Sequence, residues 1–181
     1  MTSHANSITT IRQATIADAA LLASLAATTF SDSFAADNSA ENMSMYMEKA
    51  FGEDIQRSEL SDPHRTVFFA EQDGRVVGYT MLHDGPVPAS VGEDDALEIA
   101  RLYSVKRTIG RGVGATLMQR CIDEAVARGK QTLWLAVWGK NARAIAFYER
   151  WGFVDVGSKT FTLGRDRQTD RVMARRPTDA S

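Results

Sequence analysis

Cysteine is almost absent from this chain, long apolar runs are missing, and neither sign of charge dominates. The 181 residues hold one cysteine, Cys121, so neither an intramolecular disulfide nor a cysteine-built zinc site can form. Cys121 occupies an apolar position of a helical pattern, where the expectation is a buried, inert thiol rather than a nucleophile. No stretch of about 18 apolar residues occurs, and the N-terminus lacks the basic and apolar regions of a signal peptide. A soluble, cytoplasmic protein with no membrane partner is therefore expected. The formal net charge is −2, which argues against a general nucleic-acid binder. Repeats, low-complexity tracts and linkers are also missing, so one domain is expected over 8–176, with polar tails at 1–7 and 177–181.

What is present alternates between strand and helix patterns. Ile8 to Gln13 reads as a first strand, and Thr15 caps a helix from Ile16 to about Thr29 with Ala19, Leu22, Leu25 and Ala26 on its apolar stripe. A turn bracketed by Phe30 and Phe34 leads to a helix from Ala40 to Ala50, started by Ser39 and Glu41 and stopped by Gly52. A shorter helix follows from Glu53 to Leu60. Val67–Glu71 and Val76–Leu82 form a hairpin through Asp73-Gly74. After a loop over 84–94 come a strand from Leu97 to Val105, a glycine turn, and a helix from Val113 to Arg128. Leu133–Trp138 is a strand, Asn141–Trp151 a helix, and Phe153–Leu163 and Arg167–Ala174 are the final strands. The pattern is that of an α/β domain.

The glycine turn carries the first functional signal. Gly110, Gly112 and Gly114 alternate between a strand and a helix, where the backbone can approach a ligand closely. The N–H groups of a helix's first turn lack intrahelical partners, so the site suits a phosphate. Arg101, Lys106, Arg107 and Arg111 stand here without an intervening carboxylate. Neither a Rossmann fingerprint nor a P-loop is present: Leu117 occupies the site of the third Rossmann glycine, and no Gly-Lys-Ser/Thr ending follows. Taken alone, the turn also fits a purely packing role.

A second segment, Asn141-Ala-Arg-Ala-Ile-Ala-Phe-Tyr148, narrows the reading. Asn141 follows a strand, where its amide can cap the helix or reach a ligand, and Tyr148 lies two helical turns on, on the same face. Together the two segments resemble the GCN5-related N-acetyltransferase (GNAT) superfamily, whose signatures are R/Q-x-x-G-x-G/A and N-x-x-A-x-x-F-Y. The second is complete in Asn141, Ala144, Phe147 and Tyr148. In the first, Gly112 and Gly114 match and Ile109 replaces the usual Arg or Gln. The resemblance implies an α/β (α+β) fold with a mixed sheet of about six to seven strands, splayed between the fourth and fifth and flanked by about four helices.

Glu98-Ile-Ala-Arg-Leu-Tyr-Ser-Val105 and the run from Thr160 to Met173 resemble a sub-branch that includes the PaiA-type polyamine acetyltransferases. That likeness implies transfer of acetyl from acetyl-CoA to a small cationic amine such as a polyamine, with a peptide or protein amine as the alternative acceptor. A non-catalytic acyl-CoA-binding module is the other alternative, favoured only by Ile109. No metal is implied, and a homodimer is a common family state.

The resemblance also assigns roles. The backbone of Tyr103, Ser104 and Val105 would face the thioester carbonyl as oxyanion donors. Gly110, Arg111, Gly112, Val113, Gly114 and Ala115 would form the phosphate cradle. Asn141 would border the cofactor. Tyr148 would be the general acid at the cofactor sulfur. A phenol pKa of about 10 against about 8.5 for a thiol makes a hydrogen bond to sulfur as defensible as full proton transfer. Glu98 is the base candidate, its alternative being an exposed carboxylate or a partner of Arg101. From Ser31 to Glu59 seven carboxylates face Lys49 and Arg57 alone, and Asp84 to Glu98 adds more. This reads as a negative acceptor side or as ordinary solvated faces. The cations Arg165, Arg167, Arg171, Arg175 and Arg176 read as a solvated hairpin and tail.

Overall fold

Val67 and Phe69 project from one face of a strand, Phe68 and Ala70 from the other, and all four are buried, so the sheet is covered on both sides. In the computed structural model, residues 8–92 and 95–179 are described; the expected N-terminal tail, Glu93, Asp94 and residues 180–181 lie outside them. The sheet has seven strands: β1 (Thr10–Gln13), β2 (Arg65–Gln72), β3 (Arg75–His83), β4 (Ala96–Ser104), β5 (Thr132–Trp138), β6 (Val154–Leu163) and β7 (Asp166–Arg175). Their order is β1-β2-β3-β4-β5-β7-β6. Only β4 and β5 run parallel among these pairs.

Five helices cover it: α1 (Ala19–Phe34), α2 (Ala40–Ala50), α3 (Glu53–Ser61), α4 (Val113–Ala127) and α5 (Ala142–Arg150). One core unites Met118, Cys121 and Ile122 of α4 and Ile145 of α5 with Leu97, Ile99, Leu133 and Leu135. The opposite core sets Leu22, Leu25 and Ala26 of α1 against Val67, Phe69, Tyr79 and Met81. Each buried Val, Leu, Ile, Phe or Met among them contributes roughly 1.5–3 kcal/mol. The fold is the mixed, two-sided α/β arrangement expected, with one helix more than the approximate count.

Two local readings needed correction. Ile16–Asp18 is a 3-10 turn capped by a Thr15–Asp18 capping box, and the helix proper begins at Ala19 and continues past Thr29 to Phe34. The expected Phe-bracketed turn is therefore helix. Phe30 prolongs the apolar stripe, and Ser33 bonds back to the Thr29 carbonyl at 2.8 Å instead of breaking the ladder. Val105, expected in the fourth strand, instead caps a 3-10 turn over Lys106–Thr108. The Asp73-Gly74 hairpin forms as expected, with both residues at positive φ, 49° and 72°.

Gly78 sets how closely α4 approaches the sheet. A Cβ there would meet Tyr103 O at 2.8 Å, Val113 Cγ1 at 3.0 Å and Leu117 Cδ1 at 3.2 Å. Gly78→Ala is expected to lower the unfolding free energy by about 1–3 kcal/mol, read as a lower urea midpoint with unchanged slope.

Candidate active site

β4 and β5 pair at Ala96↔Thr132, Leu97↔Leu133 and Glu98↔Trp134, and at no later position. On its other edge β4 pairs Ile99 with Leu82 and Arg101 with Met81, which leaves Ala100 as an extra residue. Such a bulge bends its strand and raises the local twist. Here it turns β4 away from β5, and a V-shaped gap opens between them.

On the side of α4 and α5 the gap leads into a cavity of about 450 Å³, lined by Tyr103, Ser104, Gly110, Gly112, Gly114, Ala115, Asn141 and Tyr148. Residues from β4, the glycine turn and α5 thus meet at one place. Gly110 and Gly112 have φ of 78° and 87°, and a Cβ at either would meet no atom within 4 Å. Their glycines answer to backbone conformation and leave open space over the turn. Thr116 N–H makes the first helical bond, to Gly112 O at 3.0 Å. The N–H groups of Val113, Gly114 and Ala115 precede it at the positive end of α4 and suit an anion. Lys106, Arg107 and Arg111 are exposed nearby.

Other expected site residues are placed differently. The Val113 side chain is fully buried in a core with Leu117, and Arg111 N–H donates to Thr108 O at 3.0 Å, so of these two only Val113 N–H is left for a ligand. Val105 N–H donates to Val77 O at 2.8 Å, which removes it as an oxyanion donor. Strand alternation turns the Tyr103 N–H toward β3 as well, removing a second expected donor, and leaves the N–H groups of Ser104 and Leu102 toward the open edge. Arg101, counted among the cations of the turn, points to the opposite face of the sheet and forms a bidentate pair with Glu59 at 2.9 and 3.0 Å.

On α5, Asn141 Oδ1 accepts from Ala144 N–H at 3.1 Å, so its amide caps the helix while lining the cavity. The Tyr148 ring packs edge-on against Phe147 and Phe153, with centroids 5.4 and 5.9 Å away. Burial raises the Tyr148 phenol well above its usual range, so the proton stays on the oxygen throughout the neutral range. Arg143 and Arg150 line the same cavity and were missed from the sequence. Their signal was a two-turn spacing beside Asn141 and Tyr148.

Across the gap lies a second cavity, of about 180 Å³, walled by aromatic side chains that include Phe30, Tyr46, Trp138 and Phe161. The two share Phe34, Ala100, Arg101, Tyr103 and Ala136. Glu98 opens only into the second. Its Oε2 stands 3.2 Å from His83 Nδ1, so its partner is His83 and not Arg101. The bulge places Glu98 and Arg101 on one face although they are three apart.

The acidic stretch before Glu59 is largely solvated or paired: Glu59 with Arg101, Glu53 with Arg57 and Glu41 with Arg165. Asp84 is bound by Lys130. Apart from Glu98, none of the carboxylates read as a negative acceptor side lines the second cavity among the described residues. Arg175 is likewise not solvated. It is 4% exposed and donates to the carbonyls of Trp151, Arg176 and Asp179. Cys121 is the inert thiol expected, with its pKa pushed up to about 12 by burial. Among the described residues no group of three or more His, Cys, Asp or Glu could hold a metal ion, and no helix is long and apolar enough to cross a membrane.

Residues 29–153 match the model of the acetyltransferase (GNAT) family. The chain belongs to that family, and its chemistry is acyl transfer. It is 35% identical over 145 residues to an uncharacterised N-acetyltransferase of Lactobacillus delbrueckii, covering 80% of this chain and 84% of that protein. Over 101 residues, 54% of this chain and 68% of the relative, it is 34% identical to the ribosomal protein bS18-alanine N-acetyltransferase of Salmonella typhimurium. In fold it is similar to the PaiA N-acetyltransferase of Thermoplasma acidophilum solved with coenzyme A. That match has a TM-score of 0.75 at 18% identity and covers 93% of this chain and 99% of the other.

The Arg101–Glu59 pair is partly buried, with side chains 17% and 16% exposed. Glu59→Gln leaves the guanidinium without its counter-charge and is expected to cost about 3 kcal/mol of stability by chemical denaturation.

Proposed function

We propose that this protein transfers an acetyl group from acetyl-CoA to the primary amine of a small cationic acceptor, polyamines included, by direct transfer in a ternary complex. The observation that carries this reading is the meeting of two unlike cavities at the β4–β5 gap. One is an anion cradle built on a helix N-terminus, and the other is an aromatic cavity containing a carboxylate. Kinship with the family supports the donor, as does the similarity to a fold neighbour solved with coenzyme A.

When bound, acetyl-CoA supplies the thioester carbon that the amine attacks. A C–N bond forms, the C–S bond breaks, the amine loses a proton and the sulfur gains one. The chain's own groups divide the remaining work. The N–H groups of Val113, Gly114 and Ala115 hold the pyrophosphate. Ile109, 40% exposed, adds no polar contact at the cradle's edge, while Arg143 and Arg150 add positive charge. Backbone N–H groups of Ser104 and Leu102 face the carbonyl oxygen. The Tyr148 phenol, kept protonated by burial, donates toward the sulfur. Glu98, backed by His83, accepts the amine proton directly or through water.

A second reading, acetylation of a peptide or protein amine, draws on the similarity to the bS18-alanine acetyltransferases. Incubation with acetyl-CoA and a panel of polyamines, amino acids and peptides, read by released CoA thiol, separates the two. Binding of acetyl-CoA without turnover across the panel would instead mark a non-catalytic module. Tyr148→Phe is expected to lower kcat by about 10²-fold or more while acetyl-CoA affinity changes by less than about twofold. An unchanged kcat removes Tyr148 from the mechanism. Below the acceptor's pKa of about 10, kcat/KM is expected to rise about tenfold per pH unit as free amine accumulates. Because burial raises the Tyr148 phenol, its deprotonation should impose no falling limb below about pH 10. A pH–rate profile checks both limbs.

A further inference from the structure

Asp170 is 8% exposed, lines the aromatic cavity, and holds a buried Oδ1 with no hydrogen-bond partner. It is the only carboxylate among the described residues left in that state. Burying such an oxygen unpaired is unfavourable, and desolvation accordingly raises the Asp170 pKa, with nearby Lys159 opposing. Neither of the cavity's cations forms an ion pair with it among the described residues. Arg101 is committed to Glu59, and Lys159, the cross-strand partner of Asp170 on β6, favours its ionised form but directs its Nζ to the Trp134 ring, 5.5 Å from the centroid. Glu98, the cavity's other carboxylate, stands beside His83. An unpaired carboxylate so placed suits a cation brought from outside.

Where Asp170 stands decides which cation. It pairs with Trp138 of β5, while Ala136, on the wall shared by both cavities, pairs with Val172. Two residues along a strand span about 6.6 Å. Asp170 thus lies a short alkyl chain's length from the gap where the reacting amine must sit. The cavity's aromatic walls, Tyr46, Trp138 and Phe161 among them, suit a hydrocarbon chain and present ring faces that attract an ammonium. A carboxylate at that remote end would meet Asp170 and find Arg101 already paired.

We propose that Asp170 is the specificity-determining residue of the acceptor cavity, binding a second, non-reacting ammonium of an alkyl diamine. This rests on the acetyl-transfer reading of the same site, and it selects diamines over monoamines and over amino acids. The test compares 1,4-diaminobutane, butylamine and 4-aminobutanoate, which share a chain length and differ at the far end. Binding to the CoA-loaded protein is measured by calorimetry, alongside turnover with acetyl-CoA. The diamine is expected to bind about tenfold or more tightly than butylamine, with 4-aminobutanoate weakest. Asp170→Asn is expected to bring the diamine to the level of butylamine while leaving coenzyme A affinity within about twofold, a split that a merely structural role would not produce. Asp170→Lys is expected to reverse the order in favour of 4-aminobutanoate. Equal binding of diamine and butylamine in the unaltered protein, or a preference that survives Asp170→Asn, overturns the proposal. Diamine binding without turnover overturns the transfer reading and leaves the anchor standing.

Discussion

From Ile99 to Ser104 the fourth strand is hydrogen-bonded along one edge only, and every feature of the candidate site depends on that half-paired stretch. Ala100 is inserted opposite the Met81–Leu82 step, and β4 leaves β5 immediately after Glu98↔Trp134. Buried backbone N–H and C=O groups require partners, so an opened sheet interior persists only where a ligand or water can reach it. Both parallel strands also end at this point, and the helices that follow them, α4 and α5, begin beside the gap. The positive end of α4 and the capped start of α5 therefore converge on a single cavity.

The same opening gives the two faces of the sheet different chemistry. Toward α4 and α5 the wall includes glycine backbone, free N–H groups and the cations Arg143 and Arg150 beside apolar and aromatic side chains. Toward α1 and α2 it is rich in aromatic rings and carries Glu98 and Asp170 alongside Arg101 and Lys159. The two approaches to one gap therefore differ in the groups they present to whatever enters them. The β6–β7 turn packs against α2 at the edge of this face. Arg165 N–H donates to Asn42 Oδ1 at 2.9 Å, and a Cβ on Gly164 would stand 2.6 Å from Asn42 Cα.

Much of this was legible in residue patterns. The helix from Ala40 to Ala50 was readable to the residue, because Ser39 is a local cap and Gly52 a local stop. The glycine turn and the run from Asn141 to Tyr148 are each readable as strand-to-helix junctions by local rules, but it was their joint resemblance to the GNAT signatures that joined them into one site. The Phe30–Phe34 segment misled, since two serines and an aspartate look like a turn until the apolar stripe of α1 is seen to continue. Arg101 and Val105 misled for another reason. Their partners, Glu59 and Val77, are distant in sequence, and adjacency to the glycine turn says nothing about facing it.

Local sequence by itself determined the α/β alternation, the phosphate-suited turn, the capped α5 and the burial of Cys121. These depend on periodicity, caps and backbone freedom within a few residues. Tertiary structure alone decided that Glu98 meets His83, that Arg101 serves Glu59, and that Asp170, some seventy residues beyond Glu98 in the sequence, enters the same cavity. The physical reason is the bulge. One extra residue reverses which face the following side chains take, and its consequences are fixed by pairing with β3 and the loss of pairing with β5, which no local pattern records.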